Sequence, residues 1–151
     1  MNTITNQPFL LVEDSDEDFF AFERIFRKLS ITQAIYRCSD GEEALDFLYH
    51  RGQYSDQKQA PRPSIILLDL NLPGIDGRDV LAQIKQDSDL SIIPVVVFTT
   101  SSNPKDVEIC YQQGVNSYII KPINVNKLMR NIQLLMEYWF EANTLPNFVY
   151  K

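Results

Sequence analysis

Apolar and polar positions along the chain fall into blocks of two lengths. Short runs, Phe9–Val12, 34–38, Ile65–Leu68, 94–99 and Ser117–Ile120, are largely apolar from end to end. Between them lie longer stretches whose apolar residues recur at helical spacing: Phe19, Phe22, Phe26 and Leu29 within 16–30; Val80, Leu81 and Ile84; and Val125, Leu128, Ile132, Leu135, Met136 and Trp139, a continuous stripe. A strand that is apolar throughout is buried on both faces, whereas a three-to-four-residue period marks a helix with one buried face. The punctuation agrees. Acids open the first helix and Arg27-Lys28 closes it; Asp40 caps a helix running to Leu48, with Glu43 at the third position; Asp76 caps the third; Asn103-Pro104 opens the fourth and Gly114 stops it; Asn124 caps the last. The segment 51–64 is polar, carries Gly52, Pro61 and Pro63, and is expected to be a long loop.

Five strand–helix units with buried strands predict a parallel sheet covered by helices on both faces. Right-handed crossovers and a count of five strands favour the doubly wound, flavodoxin-like order 2-1-3-4-5. In that order the chain leaves strands one and three in opposite directions, so a crevice opens between their carboxyl ends. The residues at those ends are Glu13 and Asp14 after strand one and Asp69 after strand three. Strand four ends in Thr99, Thr100 and Ser101, and strand five runs into Lys121-Pro122.

Three carboxylates in one crevice repel, and burial adds a desolvation cost that a cation can offset. Oxygen donors with no His or Cys nearby suit Mg²⁺, or Mn²⁺ in its place, better than zinc. Such an ion shares its remaining positions with phosphate oxygens, which brings an anionic phosphoryl group up to a carboxylate. Lys121 adds a fixed positive charge, and the Thr99 hydroxyl is a donor for a phosphoryl oxygen. These residues point to phosphoryl transfer by positioning and charge neutralisation, with an aspartate as covalent acceptor. Asp69, single and central, is assigned as acceptor. Asp14 and Glu13 are assigned to the metal, Glu13 through water because its side chain is longer, and the Asn71 backbone carbonyl is a further candidate ligand.

Each residue also has an ordinary reading. Asp14 and Asp69 could cap the following helices, Lys121 could be a solvated loop lysine, and Thr99 could satisfy backbone at a strand end. Those readings do not explain three acids gathered at one sheet edge. Thr100 and Ser101 are adjacent hydroxyls without an assignable role.

Four segments, Leu11-Val12-Glu13-Asp14, Leu67 through Gly77, Pro94 through Ser101 and Tyr118 through Pro122, match in order and spacing the motifs of a known family. From about residue 9 to residue 136 the chain resembles the receiver domain of two-component response regulators. The resemblance implies that Asp69 takes phosphate from a histidine kinase, that the acidic pair holds Mg²⁺, that Thr99 and Lys121 bind the phosphoryl group, and that Tyr118 changes rotamer with Thr99 as a switch. The pair is often Asp-Asp in that family; Glu13 here bears on metal affinity. The Asp46–Gly52 and Ala60–Pro63 stretches, the turn after Asp69 and the tail residues around Tyr138 and Pro146 are similar to the small regulators paired with cyanobacterial phytochromes. That narrower resemblance implies a phytochrome kinase as partner; a different kinase or a place within a phosphorelay are the alternatives.

Length and charge narrow the remainder. At 151 residues and a net charge of −6, the chain is expected to form one receiver domain, 7–137, with a tail, 138–151, and no nucleic-acid surface. The tail is too short for an output domain. Neither a secretory signal nor a membrane span is expected, and a cytoplasmic location follows, with Cys38 and Cys110 reduced. His50 is expected at the surface. Leu134, Tyr138, Phe140, Leu145, Phe148, Val149 and Tyr150 form an apolar excess off the core stripe, read either as a tail folded on its own domain or as a homodimer contact through helix four, strand five and helix five. Leu134, Tyr138 and Phe140 are the candidate interface residues. Two other functional classes were weighed. A haloacid-dehalogenase-type phosphatase normally needs an acid two residues past its nucleophile, where Asn71 stands. A flavin-binding module would be repelled by Glu13-Asp14-Ser15-Asp16.

Overall fold

The five apolar runs do form one parallel sheet. In a computed structural model that describes residues 7–146, the strands are β1 (Phe9–Val12), β2 (Ile35–Cys38), β3 (Ile65–Leu68), β4 (Val95–Thr99) and β5 (Ser117–Ile120), in the order β2-β1-β3-β4-β5. The helices between and after them are α1 (Asp16–Lys28), α2 (Gly41–Tyr49), α3 (Gly77–Gln86), α4 (Pro104–Gln112) and α5 (Val125–Glu137). A short 3₁₀ turn, Gly52–Tyr54, interrupts the loop before β3, and a π-helical turn, Tyr138–Ala142, follows α5.

The two sheet faces have separate cores. Leu10, Val12, Ile66, Leu68, Val95 and Val97 point to one side, against Leu45 and Leu48 of α2, Val80, Leu81 and Ile84 of α3 and Cys110 of α4. Phe9, Leu11, Ile65, Leu67, Val96 and Phe98 point to the other, against Phe22, Ile25 and Phe26 of α1 and Ile132, Leu135 and Met136 of α5. Successive strand residues serve opposite faces, so β1, β3 and β4 as far as Phe98 are apolar at every position. β5, at the edge, is only half-buried.

Side-chain caps fix where the helices begin. Ser15 accepts from the Asp18 amide (3.2 Å), Asp40 from Glu43 (2.7 Å), Asp76 from Arg78 (2.8 Å), Asn103 from Lys105 (3.0 Å) and Asn124 from Lys127 (3.0 Å). Glu43 reaches back to the Ser39 amide at 2.7 Å, a capping-box geometry.

Four details differ from the sequence-based expectation. α1 stops at Lys28 because Ser30 turns left-handed (φ 56°), its amide donating to Arg27 and that of Ile31 to Phe26. Val125 is 66% exposed: as the first residue of α5 it lies outside the buried stripe. His50 is half-buried, left-handed at the end of α2, and its Nε2 donates to the Ala60 carbonyl at 2.7 Å, so it pins the long loop to α2. Phe140 is half-buried and packs with Trp139 on the α1–α5 core, whereas Leu134 and Tyr138 are 46% and 54% exposed. Phe148, Val149 and Tyr150 lie outside the described residues. Both cysteines are buried and free. Among the described residues no helix is long and apolar enough to cross a membrane.

A serine at φ 56° carries a steric cost that glycine avoids, partly offset by the larger unfolded-state entropy of glycine. Ser30→Gly is expected to stabilise the fold by about 0.5–1 kcal/mol, read as a higher urea midpoint with an unchanged slope.

Candidate functional site

Thr99 is the last residue of β4, and Glu13, Asp69 and Lys121 each stand one step beyond a strand, their backbone tied to a neighbouring strand. The Glu13 amide donates to Cys38 (2.9 Å), the Asp69 amide to Val12 (3.1 Å) and the Lys121 amide to Thr99 (2.7 Å). The sheet ladder thus extends into the crevice and fixes the origin of every functional side chain. The turn after Asp69 is held by its own hydrogen bonds: the Asn71 amide donates to Asp69 Oδ1 (3.2 Å) and the Gly77 amide to the Leu70 carbonyl (3.0 Å).

Glu13, Asp14 and Asp69 are brought together as expected, with one carboxylate oxygen of each within 4.8 Å of the others. Glu13 and Asp69 are buried (2% and 6% exposed), while Asp14 faces solvent. Three hard oxygen donors with no nitrogen or sulphur among them fit a divalent cation of the magnesium or manganese type. Thr99 is fully buried, and its Oγ1 accepts from the Ser101 amide at 3.4 Å.

Lys121 is the common partner. Its Nζ lies 2.6 Å from Glu13 Oε1, 3.1 Å from Asp69 Oδ2 and 3.0 Å from Asp18 Oδ2, and 5.8 Å from the centroid of the Phe98 ring. Burial works against its charge, but the hydrogen bond and charge of Glu13 and the charge of Asp69 outweigh burial and hold the ammonium above its ordinary range. Burial also pushes the Glu13 carboxyl up, opposed by Lys121 and reinforced by Asp69. The two shifts differ in origin: Glu13 is raised chiefly by burial, Lys121 by the acids around it. Glu13 Oε1 accepts from Lys121 Nζ at 2.6 Å, and its Oε2 accepts from the Ser15 amide at 3.2 Å.

Asp18 is a member of the site that the sequence reading missed. It sits on the first turn of α1, four residues after Asp14, on the side that a helix starting at Asp16 turns towards the sheet edge. A second network lies beside the crevice. Tyr118 donates to the Ser101 carbonyl (2.9 Å), Ser101 Oγ to Asp106 Oδ2 (2.6 Å), and Arg78 Nε and Nη2 to the two oxygens of Asp106 (2.9 Å each). Arg78 also grips Asp76 with Nη1, at 2.9 and 3.0 Å. The bonds from Arg78 and from Ser101 hold the Asp106 carboxyl below the usual carboxylate range. Ser101, without an assignable role in sequence, is therefore bonded through its amide, carbonyl and hydroxyl alike.

The model of the response regulator receiver domain matches residues 9–133. The chain belongs to the response regulator receiver family. It is a phosphoacceptor of two-component signalling, supplied by a histidine kinase. It is 43% identical over 148 residues to the response regulator Rcp1 of Synechocystis sp., covering 97% of this chain and 99% of that protein. A probable methanogenesis regulatory protein, FilR2 of Methanothrix harundinacea, is 42% identical over 91% of this chain and 86% of its own length. Among solved structures, the Mn²⁺-bound form of Rcp1 aligns with a TM-score of 0.85 over 93% of this chain and 99% of that one. The phosphorylated cyanobacterial phytochrome response regulator RcpA aligns at 0.87 and 39% identity, over 94% and 99%.

Gly77 makes the tight return after Asp69 possible. A Cβ there would lie 2.3 Å from the Asp69 carbonyl oxygen and 2.6 Å from the Leu70 Cα, both backbone atoms that cannot rotate away. Gly77→Ala is expected to cost about 1–3 kcal/mol in urea unfolding, and to slow phosphoryl uptake from acetyl phosphate as the turn carrying Asp69 is displaced.

Proposed function

We propose that Asp69 is the phosphoacceptor, and that Glu13, Asp14, Asp69 and the Asn71 backbone carbonyl hold Mg²⁺ beside it. The supporting observation is the position of the Asp69 carboxylate: buried at the end of the central strand, close to two further acids and 3.1 Å from Lys121. An Asp69 oxygen attacks the phosphorus of a kinase phosphohistidine; the acyl phosphate P–O bond forms as the P–N bond breaks, and the imidazole nitrogen keeps the electron pair and takes up a proton. Magnesium, when bound, neutralises charge on the phosphoryl oxygens and on the acids around them. Lys121 supplies positive charge on the other side, and to do so it exchanges a carboxylate contact for a phosphoryl oxygen. Thr99 donates to a second phosphoryl oxygen, drawing the loop after β4 inward.

That movement is transmitted by Tyr118, whose hydroxyl is bonded to Ser101 two residues beyond Thr99. Rearrangement at Thr99 therefore changes the anchor of an edge-strand aromatic, and with it the surface formed by α4, β5 and α5. The same surface is the candidate homodimer contact. Ile120, Leu134 and Tyr138 are exposed on it, and a groove of about 440 Å³ runs between β5 and α5. A two-fold contact uses each patch twice. In this reading the receiver spans residues 7–137, and the segment 138–151 contributes Tyr138 to the contact while Trp139 and Phe140 pack on their own domain. The likeness to RcpA, a cyanobacterial phytochrome response regulator, supports a phytochrome-type kinase as donor; phosphotransfer profiling with a purified phytochrome kinase beside non-phytochrome kinases tests that choice, and equal transfer from all of them would remove it.

Asp69→Asn is expected to abolish phosphoryl uptake from acetyl phosphate, as is removal of divalent cation with EDTA, with Mg²⁺ restoring the unsubstituted protein only. Uptake at the normal rate by Asp69→Asn would reassign the acceptor. Sedimentation of Leu134→Glu with Tyr138→Ala is expected to show a monomer under conditions where the unsubstituted chain associates. Unchanged association would place the contact elsewhere.

A further inference from the structure

The loop after β4 is held by more than the site it serves. Ser101 donates through its hydroxyl to Asp106 in the first turn of α4, and Asp106 is clamped by a two-pronged guanidinium contact from Arg78. Arg78 is the second residue of α3, and α3 begins where the turn carrying Asp69 ends, with Gly77 packed on the Asp69 carbonyl. The Arg78 side chain is about three-quarters buried, and its guanidinium also holds Asp76, the residue that caps α3. Charge-assisted bonds therefore run from Asp76, at the end of the turn that follows Asp69, through Arg78 and Asp106 to Ser101, and a neutral bond joins the Ser101 carbonyl to Tyr118. None of these residues touches the cluster of Glu13, Asp14, Asp69 and Lys121 through a side chain hydrogen bond.

We propose that Arg78 and Asp106 are positioning residues for the phosphoryl group: their forked contact fixes Ser101, and through it the Thr99 hydroxyl and the Tyr118 anchor, at a set distance from Asp69. A guanidinium–carboxylate fork defines distance and angle together, as a single contact does not. Thr99 is otherwise placed only by its strand, and the loop beyond it, Thr100 to Asn103, is exposed on both sides of Ser101. Without the fork, Ser101 keeps its bonds to Asp106 (2.6 Å), the Asn103 amide (3.4 Å), Thr99 Oγ1 (3.4 Å) and the Tyr118 hydroxyl, but Asp106 loses its tie to α3 and the whole loop can shift with α4. The cost falls on binding of the tetrahedral phosphoryl group, since the metal acids stand on other strand ends. The inference rests on Asp69 being the acceptor.

The test separates metal from phosphoryl recognition in the full chain. Mg²⁺ is titrated by calorimetry, and beryllofluoride, a mimic of the aspartyl phosphate, by ¹⁹F resonance in saturating Mg²⁺. The variants are Arg78→Met, Asp106→Asn, Asp106→Glu, Ser101→Ala and the double variant Arg78→Met with Ser101→Ala. Mg²⁺ affinity is expected to stay within about twofold throughout. Beryllofluoride affinity is expected to fall about five- to tenfold in Arg78→Met, Asp106→Asn and Ser101→Ala, with the double variant no worse than either single change, as members of one connected set behave. Asp106→Glu, which keeps the carboxylate, recovers part of the loss. Full affinity in Ser101→Ala, or additive losses in the double variant, would overturn the inference. Ser101→Ala removes only a hydroxyl, so it carries the test even where Arg78→Met fails to fold. If the unsubstituted chain binds Mg²⁺ but no beryllofluoride, the acceptor assignment itself fails, and the positioning role with it.

Discussion

One ammonium group holds the crevice together. Lys121 lies within 3.1 Å of carboxylate oxygens from Glu13, Asp18 and Asp69, and Asp14 stands in the same cluster. Two of those acids are buried, where an uncompensated charge is costly. A single positive charge does not balance them: the neighbouring acids raise the proton affinity of Lys121, and burial raises that of Glu13. The fold thus carries a built-in demand for further positive charge, and a divalent cation answers it. The same demand makes the site responsive. In the proposed reading a phosphoryl group would add negative charge, Lys121 would redistribute its contacts, and a loop bonded to the phosphoryl oxygens would follow.

The rest of the architecture serves that crowding. Parallel strands end at the same edge, so acids that are far apart in sequence converge without long connections. The extended ladder bonds at Glu13, Asp69 and Lys121 keep the backbone from retreating as the side chains repel. Caps at Ser15, Asp76 and Asn103 start α1, α3 and α4 immediately beside the crevice, and each helix brings in one charged residue of consequence: Asp18, Arg78 and Asp106.

Much of this was legible in the sequence. Strands buried on both faces must be apolar at every position, which is why β1, β3 and β4 announced themselves and why their order followed from topology. Acids at strand ends, with Thr99 and Lys121, could be grouped because parallel strands share an edge. What could not be read were contacts set by helix rotation and tertiary approach. Arg78 and Asp106 lie 28 residues apart on different helices, and no local pattern pairs them. Asp18 looked like one more acid favouring a helix N-terminus, a role that its neighbours Asp16 and Glu17 fill equally well. His50 looked solvated because its partner, the Ala60 carbonyl, belongs to a loop with no periodicity. Val125 fitted the helical stripe by spacing, but the first residue of a helix has no preceding turn to bury it.

The gradient of burial across the sheet has a mechanical consequence. Asp69 rises from β3, flanked by strands on both sides and covered by helices on both faces; Tyr118 belongs to β5, which has a neighbour on one side only. In the proposed reading the acceptor stands on a strand packed on every side and the switch residue on one with a free edge, so a rearrangement begun in the interior would emerge at a surface another protein can touch.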